Sequence, residues 1–457
     1  MLLPVVSPAQ SADWDARAAA AGISLDTLMD AAGRAAAHAI AARWPHALGA
    51  GALVACGTGH NGGDGWVVAR ALQRAGARVF VTSLPGDAAP LTARVRALAE
   101  AEGMRLVAPD GPWPAVGLAV EAILGTGASG APRAPAQALL DRLHELAVPL
   151  VAIDGPAGLD LGTGAVHGVA HADASLTFGG FRRGHLLSRD ECGEVLVLDI
   201  GHPAPDGAWP RVLSDAVAAS WLPPFRAGYH KGDRGRVVVI GGAAGMSGAA
   251  RMACRAAFAA GAGLVHLVAP AETVAAVREA DPDVQTLVHT PDAAPGPELF
   301  ALLARADALV IGPGLGREPR HAALVVEAVS AVGAAVVDAD ALVLLAGREL
   351  SRLAEGRRLV LTPHAGEFRT LFPAAASRRE VDPWAAAEEA AATSGAAVLL
   401  KGVPTVVAQP QRASVTVAAG NPGLATGGSG DVLAGLVGAL LARGLEAGPA
   451  AALGAQA

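Results

Sequence analysis

Short apolar runs alternate with alanine-rich stretches along most of this chain, and this alternation limits its fold more than any other feature. The runs end near Gly, Pro, Asp or Lys and cover residues 52–56, 78–82, 118–124, 150–154, 236–240, 264–268, 308–311, 334–338, 358–361 and 397–400. Apolar strands that are separated by helices are typical of parallel sheets covered on both faces. The sequence therefore predicts an α/β fold whose ligands bind at the carboxyl ends of the strands.

The length of the chain and a change of composition near its middle predict two domains. A chain of 457 residues exceeds one ordinary domain. Residues 203–224 contain five prolines around a short polar stretch, which is typical of a linker. We expect one domain at residues 1–213 and a second at residues 214–457.

Charge and cysteine content exclude several classes of function. A net charge of −7 at pH 7 gives no general attraction to nucleic acid or to an anionic membrane. Cys56, Cys192 and Cys254 lie far apart without metal-binding spacing, so we expect small buried residues in a reducing compartment. We predict no signal peptide and no membrane span, because long apolar segments are absent from the sequence. These features predict a cytoplasmic protein.

Glycine-rich segments follow several apolar runs of the first half. Residues 56–65 precede a predicted helix at 66–75 and fit the G-x-G-x-x-G pattern of a phosphate-binding loop. This loop contains Asp64, and no acidic ribose ligand follows at the usual distance, which weakens a plain dinucleotide-binding interpretation. A second loop at 125–130 follows Glu121, and Asp154 ends another run. Asp154 is either functional or a common turn residue before Gly-Pro.

The segment 421–431 is a glycine-rich turn before an apolar stretch, which predicts the N-terminus of a buried helix. Free N–H groups and the helix dipole there favour phosphate or another anion. Asp431 is either a base beside a reacting phosphoryl group or a helix cap. Lys401 suits phosphate or is a solvated lysine, and His364 is either functional or a turn residue. The chain ends at Ala457, earlier than we expect for a final pair of helices, which predicts truncation.

Ordered motifs over nearly the whole chain resemble two known families. The first half resembles the NAD(P)H-hydrate epimerase domain at residues 28–33, 60–65 and 154–160. The second half resembles the ADP/ATP-dependent NAD(P)H-hydrate dehydratase of the ribokinase-like superfamily at residues 230–235, 241–248, 311–316, 338–342, 362–367, 401–405 and 421–431. The resemblance implies an N-terminal Rossmann-like three-layer α/β/α domain and a C-terminal ribokinase-like α/β/α domain.

The resemblance implies a bifunctional enzyme that repairs hydrated nicotinamide cofactors. One domain epimerises R- and S-NAD(P)HX, and the other dehydrates S-NAD(P)HX to NAD(P)H at the expense of a nucleotide, with ADP expected to yield AMP and phosphate. The implied cofactors are ADP or ATP, Mg²⁺ and K⁺, and the implied assembly is a homo-oligomer. Two alternatives stay open: a ribokinase-type kinase for a small alcohol with an N-terminal nucleotide-binding domain, and a binding module without catalysis.

The resemblance also assigns residues. In the epimerase half, Asp154 is the catalytic acid or base, and the hydrate contacts are His60, Asn61, Gly62, Gly63, Asp64, Gly125, Thr126, Gly127, Ala128, Ser129, Gly130, Ala131 and Asp154. The potassium residues are Asn61, Glu121 and Ala157. In the dehydratase half, Asp431 is the catalytic base, the hydrate contacts are Ser247, Gly314, His364 and Asp431, and the nucleotide contacts are Lys401, Gly402, Val403, Pro404, Thr405 and Gly430.

Three positions of the epimerase half differ from the residues usual in that family. His60 stands in place of Asn, Glu121 in place of Asp, and Ala157 in place of Ser. Ala157 lacks a hydroxyl group, so only its carbonyl oxygen could bind the ion. The sequence alone leaves open whether this half is active and whether the second half uses ADP or ATP.

Overall fold

The chain forms two compact units in the computed structural model, which describes residues 2–457. One unit contains residues 3–209, and the other contains residue 2 and residues 210–457. We call them the N-terminal unit and the C-terminal unit. The division between Trp209 and Pro210 falls within the proline-containing segment 203–224.

The N-terminal unit alternates strands and helices as expected from its apolar runs. Its elements in chain order are β1 (Leu3–Val6), α1 (Pro8–Ala20), α2 (Leu25–Arg43), α3 (Pro45–Gly49), β2 (Ala52–Cys56), α4 (His60–Arg74), β3 (Val79–Ser83), α5 (Pro90–Ala101), β4 (Arg105–Leu106), β5 (Leu118–Ala122), α6 (Ala134–His144), β6 (Leu150–Ile153), β7 (Ala174–Phe178), β8 (Phe181–Arg182), α7 (Arg183–Leu187), α8 (Arg189–Cys192) and β9 (Glu194–Leu198).

A parallel sheet with the strand order β4-β3-β2-β5-β6-β7-β9 forms the centre of this unit. Alternate residues of β2 belong to two different cores: Val54 and Cys56 pack on one face, and Leu53 and Ala55 on the other. Both faces are therefore covered by helices, which explains why these runs show no polar alternation. Cys56, Cys192 and Cys254 are free and buried, as predicted.

The structure of the glycine-rich segment after β2 differs from the prediction of a loop. Residues 60–65 do not form a loop, because α4 already begins at His60. A Cβ atom on Gly62 would lie 1.9 Å from the carbonyl oxygen of Gly57, and one on Gly65 would lie 2.5 Å from Cβ of Ala122. These glycines let the first turns of α4 pack tightly against the sheet, so their spacing reflects close packing as well as any approach of a ligand.

The C-terminal unit continues the alternation. Its elements are β10 (Arg211–Val212), α9 (Asp215–Trp221), β11 (Arg236–Ile240), α10 (Ser247–Ala259), β12 (Leu264–Ala269), α11 (Ala271–Ala280), β13 (Gln285–Val288), α12 (Pro297–Leu303), β14 (Ala308–Ile311), α13 (Ala322–Ser330), β15 (Ala334–Val337), α14 (Ala339–Leu344), α15 (Leu350–Ala354), β16 (Arg358–Leu361), α16 (Ala365–Leu371), α17 (Pro373–Ala376), α18 (Pro383–Ser394), β17 (Ala397–Leu400), β18 (Thr405–Gln409), β19 (Arg412–Val417), α19 (Ser429–Ala442) and α20 (Ala447–Gln456).

The strands of this unit pair in the order β13-β12-β11-β14-β15-β16-β17-β18-β19-β10. Pairing is parallel from β13 to β17, whereas β18 pairs antiparallel with both β17 and β19. The carboxyl ends of β14, β15, β16 and β17 consequently meet at one edge of the sheet. The predicted α/β fold is confirmed for both units.

The predicted buried helix after the glycine-rich segment is confirmed as α19. Its Ala434, Val437 and Leu441 are fully buried. A Cβ atom on Gly435 would lie 2.2 Å from the carbonyl oxygen of Ala253, so a residue without a side chain lets α19 and α10 pack closely. Helix α20 follows α19 and packs against it. Within residues 2–457, no helix is long and apolar enough to cross a membrane.

Candidate active sites

The N-terminal unit contains a pocket of about 580 Å³ at the carboxyl ends of β2, β5 and β6. Its lining includes the predicted residues His60, Asn61, Asp64, Gly125, Thr126, Gly127, Ala128 and Asp154. The remaining predicted contacts, Gly62, Gly63, Ser129, Gly130 and Ala131, are not among the lining residues. The apolar part of the lining comes mainly from α2 and from residues after the strands. A deep pocket with a few convergent polar groups is typical of a small-molecule site.

Asp154 lies directly after β6 and is surrounded by donors. Its Oδ2 accepts hydrogen bonds from the Thr126 amide, at 2.7 Å, and from the Thr126 hydroxyl. Arg182 Nη2 lies 3.5 Å from its Oδ1, and the Thr177 hydroxyl donates to the same oxygen at 3.4 Å. Burial alone would raise the pKa of Asp154, but the Arg182 charge and the Thr126 donors outweigh burial and hold it below its usual value. Asp154 is therefore a carboxylate.

The backbone of Asp154 is held in an unusual conformation. Its φ of 68° lies in the left-handed region, which residues with a side chain rarely adopt. His185 Nδ1 accepts from the Arg182 amide at 3.0 Å, so Nε2 carries the ring proton and donates to the Asp154 carbonyl at 2.7 Å. Burial lowers the pKa of His185 to about 4, which keeps the ring neutral. His185 thus fixes the turn that aims the Asp154 carboxylate into the pocket.

Asp64 presents a second carboxyl group to the same pocket from the first turns of α4. Burial raises its pKa well above the usual value, and the charges of Asp154 and Asp15 raise it further. Of the three acidic side chains that line the pocket, Asp64 and Asp154 therefore have pKa values that move in opposite directions. Such a pair allows one group to accept a proton while the other donates one.

The three predicted potassium residues converge behind this pocket. Glu121 is 1 % exposed at the fourth position of β5, and its Oε2 accepts from the Ala157 amide at 3.0 Å. The Asn61 amide group donates to the carbonyl oxygens of Leu124 and Ile153. Glu121 Oε1 and Asn61 Oδ1 are buried without a hydrogen-bond partner. Burial raises the pKa of Glu121 to about 7, against the lowering effect of the Ala157 amide. Each of these unpaired buried oxygens is of the donor type that a hard cation prefers.

Arg182 and His185 were missed by reasoning from the sequence, although both contact Asp154. The feature of the sequence that could have drawn attention to Arg182 was the unusual pair of adjacent arginines, Arg182-Arg183, just before Gly184. Arg182 is 5 % exposed, and its Nε donates to the Thr126 hydroxyl at 3.0 Å. Its distance from Asp154 along the chain explains why no local pattern indicated the contact.

In the C-terminal unit, the residues that follow three adjacent strands meet at one point. Asp338 follows β15, Thr362 follows β16 and Lys401 follows β17. Asp338 Oδ1 accepts from Lys401 Nζ at 2.7 Å and from the Thr362 hydroxyl at 2.7 Å. Asp338 is 1 % exposed, whereas the Lys401 side chain is 22 % exposed. Asp338 therefore holds Lys401 in place while the ammonium group stays open towards solvent.

Helix α19 begins beside this ion pair. Gly428, with φ of 95°, is the residue before the helix, so Gly430 and Asp431 lie in its first turn. A Cβ atom on Gly430 would lie 3.2 Å from Lys401 Nζ. Burial raises the pKa of Asp431 to about 6, the charge of Asp338 adds to this effect, and Lys401 opposes it. The N-terminus of α19 therefore lies beside an ammonium group and carries a carboxyl group with a raised pKa. Phosphoryl transfer requires such groups close together.

The other predicted residues of this unit line the same edge of the sheet. Ser247 is the first residue of α10, and Gly314, with φ of 59°, follows β14 and lies against Met246. His364 caps α16: its Nδ1 accepts from the Gly366 amide at 2.9 Å. The interpretation of His364 as a turn residue therefore accounts for one of its roles. Gly402, Val403 and Pro404 lie between β17 and β18, Thr405 is the first residue of β18, and Val403 is 68 % exposed.

Comparisons with known proteins match the two units separately and together. The family model described as YjeF-related protein N-terminus matches residues 25–184, and the model described as NAD(P)H-hydrate dehydratase matches residues 237–457. The bifunctional NAD(P)H-hydrate repair enzyme of Escherichia coli K12 is 37% identical over 95% of this chain and 84% of its own length. The enzyme of the same name from Coxiella burnetii is 35% identical over 95% and 89%.

The comparisons also include one more repair enzyme and one solved structure. The repair enzyme of Salinibacter ruber is 38% identical over 93% of this chain and 85% of its own length. Among solved structures, an ADP/ATP-dependent NAD(P)H-hydrate dehydratase from Bacillus subtilis, co-crystallised with ATP and Mg²⁺, is 26% identical at a TM-score of 0.45, over 53% of this chain and 84% of that chain. The identities over nearly the whole length confirm the resemblance found in the motifs, and the chain belongs to the family of bifunctional NAD(P)H-hydrate repair enzymes.

Proposed function

We propose that this chain repairs hydrated nicotinamide cofactors in two steps. The N-terminal unit interconverts the R and S epimers of NAD(P)HX, and the C-terminal unit dehydrates the S epimer to NAD(P)H with the help of a nucleotide. The observation that carries the proposal is the presence of two complete and chemically different sites in one chain: a pocket with an aimed carboxylate, and a helix N-terminus beside a lysine. The match to bifunctional relatives along 95% of the chain supports it.

In the epimerase site, Asp154 acts as the base. Inversion at the hydroxyl-bearing carbon of the hydrate requires proton transfer between the substrate and the protein. The Asp154 carboxylate is ionised, is oriented by Thr126 and Arg182, and lines a pocket large enough for a nicotinamide ring. His185 preserves its orientation through the main chain. His60, Glu121 and Ala157 differ from the residues usual in the family, but they leave these contacts of Asp154 intact. The intact contacts support an active epimerase half.

The same unit has an oxygen-donor set suited to K⁺. Glu121 Oε1 and Asn61 Oδ1 are buried without partners, and a cation would satisfy both at once. Asn61 and Glu121 would hold the ion with side-chain oxygens, while Ala157 contributes main-chain atoms only. When bound, K⁺ would supply a fixed positive charge near the strand ends. Asn61 also lines the pocket, so the ion would fix a residue that faces the hydrate.

In the dehydratase site, Asp431 takes the proton from the hydroxyl group of the hydrate, which then attacks the terminal phosphoryl group of the nucleotide. Hydroxide is a poor leaving group, whereas phosphate leaves readily, so departure of phosphate together with loss of a proton from the adjacent ring carbon to water restores the double bond of the reduced ring. The N–H groups at the start of α19 and the Lys401 ammonium group stabilise charge on the transferring phosphoryl group. A carboxyl group whose pKa is about 6 suits a base at neutral pH.

Mg²⁺ belongs to this proposal as the partner of the nucleotide phosphates. Asp338 Oδ1 is already bonded to Lys401 and Thr362, and Asp340 accepts from the Gly316 amide and pairs with Arg317. These carboxylates do not form a cage of their own for the ion. They fit Mg²⁺ that is held mostly by phosphate oxygens and water, with Asp338 and Asp340 nearby. Within the proposal, ADP is the expected phosphoryl donor.

Two variants test the proposal separately. Asp154→Asn should stop conversion of R-NADPHX into S-NADPHX and leave dehydration of pure S-NADPHX unchanged. Asp431→Asn should abolish recovery of NADPH and leave both nucleotide binding and epimer exchange intact. An unchanged rate of epimer exchange in the first variant, or of NADPH recovery in the second, would remove that residue from the mechanism. A stable phosphorylated alcohol would instead support the kinase alternative.

Two broader features are part of the proposal. We place the enzyme in the cytoplasm, which the three free and buried cysteines support, because disulfides are rare in reducing compartments. The family resemblance supports a homo-oligomer. Light scattering of the purified full chain measures its mass in solution and tests this point directly.

A further inference from the structure

Asp64 faces the epimerase pocket without a protein partner. Its carboxyl group lines the pocket together with Asp154. Within residues 2–457, no side-chain hydrogen bond or ion pair involves Asp64. By contrast, Asp154 accepts from Thr126, contacts Thr177 and pairs with Arg182. A polar group that is largely withdrawn from water and left unpaired is costly unless it meets a ligand.

The placement of Asp64 in the fold is as firm as that of Asp154. It lies in the second turn of α4, next to Gly63 and Gly65, whose missing side chains let the helix approach Met29 and β5. A Cβ atom on Gly63 would lie 2.5 Å from Met29 Cε. The Asp64 carboxyl group is therefore presented from a helix that packs closely against its neighbours. Rigid presentation is what a group that transfers protons requires.

We propose that Asp64 is the general acid of the epimerase reaction and works together with Asp154 as the base, an assignment that rests on the epimerase function proposed above. Asp154 is paired with Arg182 and stays ionised. Asp64 has no such partner, and burial together with the nearby Asp154 and Asp15 favours its neutral form. One pocket therefore offers a proton acceptor and a proton donor at the same time.

The chemistry of the hydrate uses both groups. Its hydroxyl-bearing carbon is also bonded to the ring nitrogen, so the ring opens when that carbon–nitrogen bond breaks. Asp154 takes the hydroxyl proton, the O–H electron pair forms the carbonyl bond of an aldehyde, and the C–N electron pair moves to nitrogen, which takes the proton of Asp64. Rotation of the aldehyde exposes its other face, and the reverse transfers close the ring as the opposite epimer. Both carboxyl groups return to their starting states.

This assignment requires two groups that are close together, because the oxygen and nitrogen atoms involved are attached to the same carbon. The effect of the Asp154 charge on Asp64 is consistent with that proximity. Other charged or titratable groups around the pocket are Asp15 on α1, His60 on α4, His202 after β9 and Arg182 on β8. His202 Nε2 lies 2.8 Å from Asp15 Oδ1, so those two groups are engaged with each other.

The test uses the full-length protein and R-NADPHX in the absence of nucleotide, so that only epimer exchange is observed by chromatography. Asp64→Asn should lower kcat for exchange about 10²-fold or more, the usual contribution of a general acid, with little change in KM. In the unaltered protein, exchange should decline as the pH increases through the raised pKa of Asp64, because this group then loses its proton. The variant should lose that decline. Asp87→Asn, an exposed residue of the same unit, is the control and should behave as the unaltered protein.

The outcomes separate the possible failures. A loss of less than about tenfold in Asp64→Asn, or a decline with increasing pH that persists unchanged in the variant, overturns the role of Asp64. If Asp64→Asn does not fold, the pH profile of the unaltered protein decides: exchange that does not fall as the pH increases overturns the assignment. If the unaltered protein shows no exchange at any pH, the proposed epimerase function itself fails, independently of Asp64.

Discussion

Dehydration by the C-terminal unit should depend on pH through Asp431. Burial and the charge of Asp338 raise the pKa of this carboxyl group to about 6. A base works only when it is deprotonated, and a raised pKa moves the loss of activity to higher pH. The rate should therefore rise as the pH increases through about 6 and reach a plateau above that value.

The size of the effect follows from that pKa. About one tenth of Asp431 is deprotonated at pH 5 and about nine tenths at pH 7, so kcat/KM should increase about tenfold between these values. An Asp with an ordinary pKa of about 3.9 would already be more than about nine tenths ionised at pH 5, and the profile would be almost flat. The two cases differ by far more than the error of an initial rate.

The assay follows NADPH formed from S-NADPHX and ADP by chromatography, with enzyme-free samples at each pH to correct for decay of the reduced cofactor in acid. Asp340→Asn removes a negative charge that raises the pKa of Asp431, so the profile should move to lower pH. Asp283→Asn, at an exposed position of the same unit, should leave the profile in place. A flat profile between pH 5 and 7, or a shift to higher pH in Asp340→Asn, would refute the reasoning.

Three further outcomes are expected. Gly62→Ala should strongly destabilise the N-terminal unit and abolish epimer exchange, because its Cβ would lie 1.9 Å from a carbonyl oxygen. Gly59→Ala should be tolerated, because its Cβ would meet nothing within 4 Å. Thermal melting of the two variants compares their stabilities. Lys401→Met should raise KM for the nucleotide and lower the free energy of unfolding by about 3 kcal/mol, since Asp338 loses its partner in a buried pair. Replacing Na⁺ with K⁺ should raise the melting temperature of the N-terminal unit, and Asn61→Ala should remove that difference.

The central strands could be predicted because they are buried on both faces and read as unbroken apolar runs. For β2, β11, β14, β16 and β17, the predicted and observed bounds are the same. The short strands β4, β8 and β10 contain two residues each, too few to form a pattern. The hairpin of β18 and β19 was not predicted because Gln411, with φ of 59°, stands in its turn where glycine would have given a signal.

The site was predictable where function lies at strand ends and not where it depends on tertiary contacts. Asp154 and Lys401 follow predicted strands, so their position at the sheet edge could be expected. The Arg182 contact with Asp154 depends on β6 and β7 being neighbours, which the sequence does not display. Likewise, Asp338 holds Lys401 only because β15, β16 and β17 lie side by side. Tertiary packing is also the reason that residues 60–65 form part of a helix.

Incubation of the full chain with a mixture of R- and S-NADPHX and with ADP or ATP tests the central claim most directly. Chromatography should show that both epimers disappear faster than they interconvert without enzyme, and that each NADPH recovered is accompanied by one phosphate and one AMP, or one ADP if ATP is supplied. Accumulation of a stable phosphorylated compound with no NADPH regained would contradict the account, because the C-terminal unit would then be a kinase and not a dehydratase.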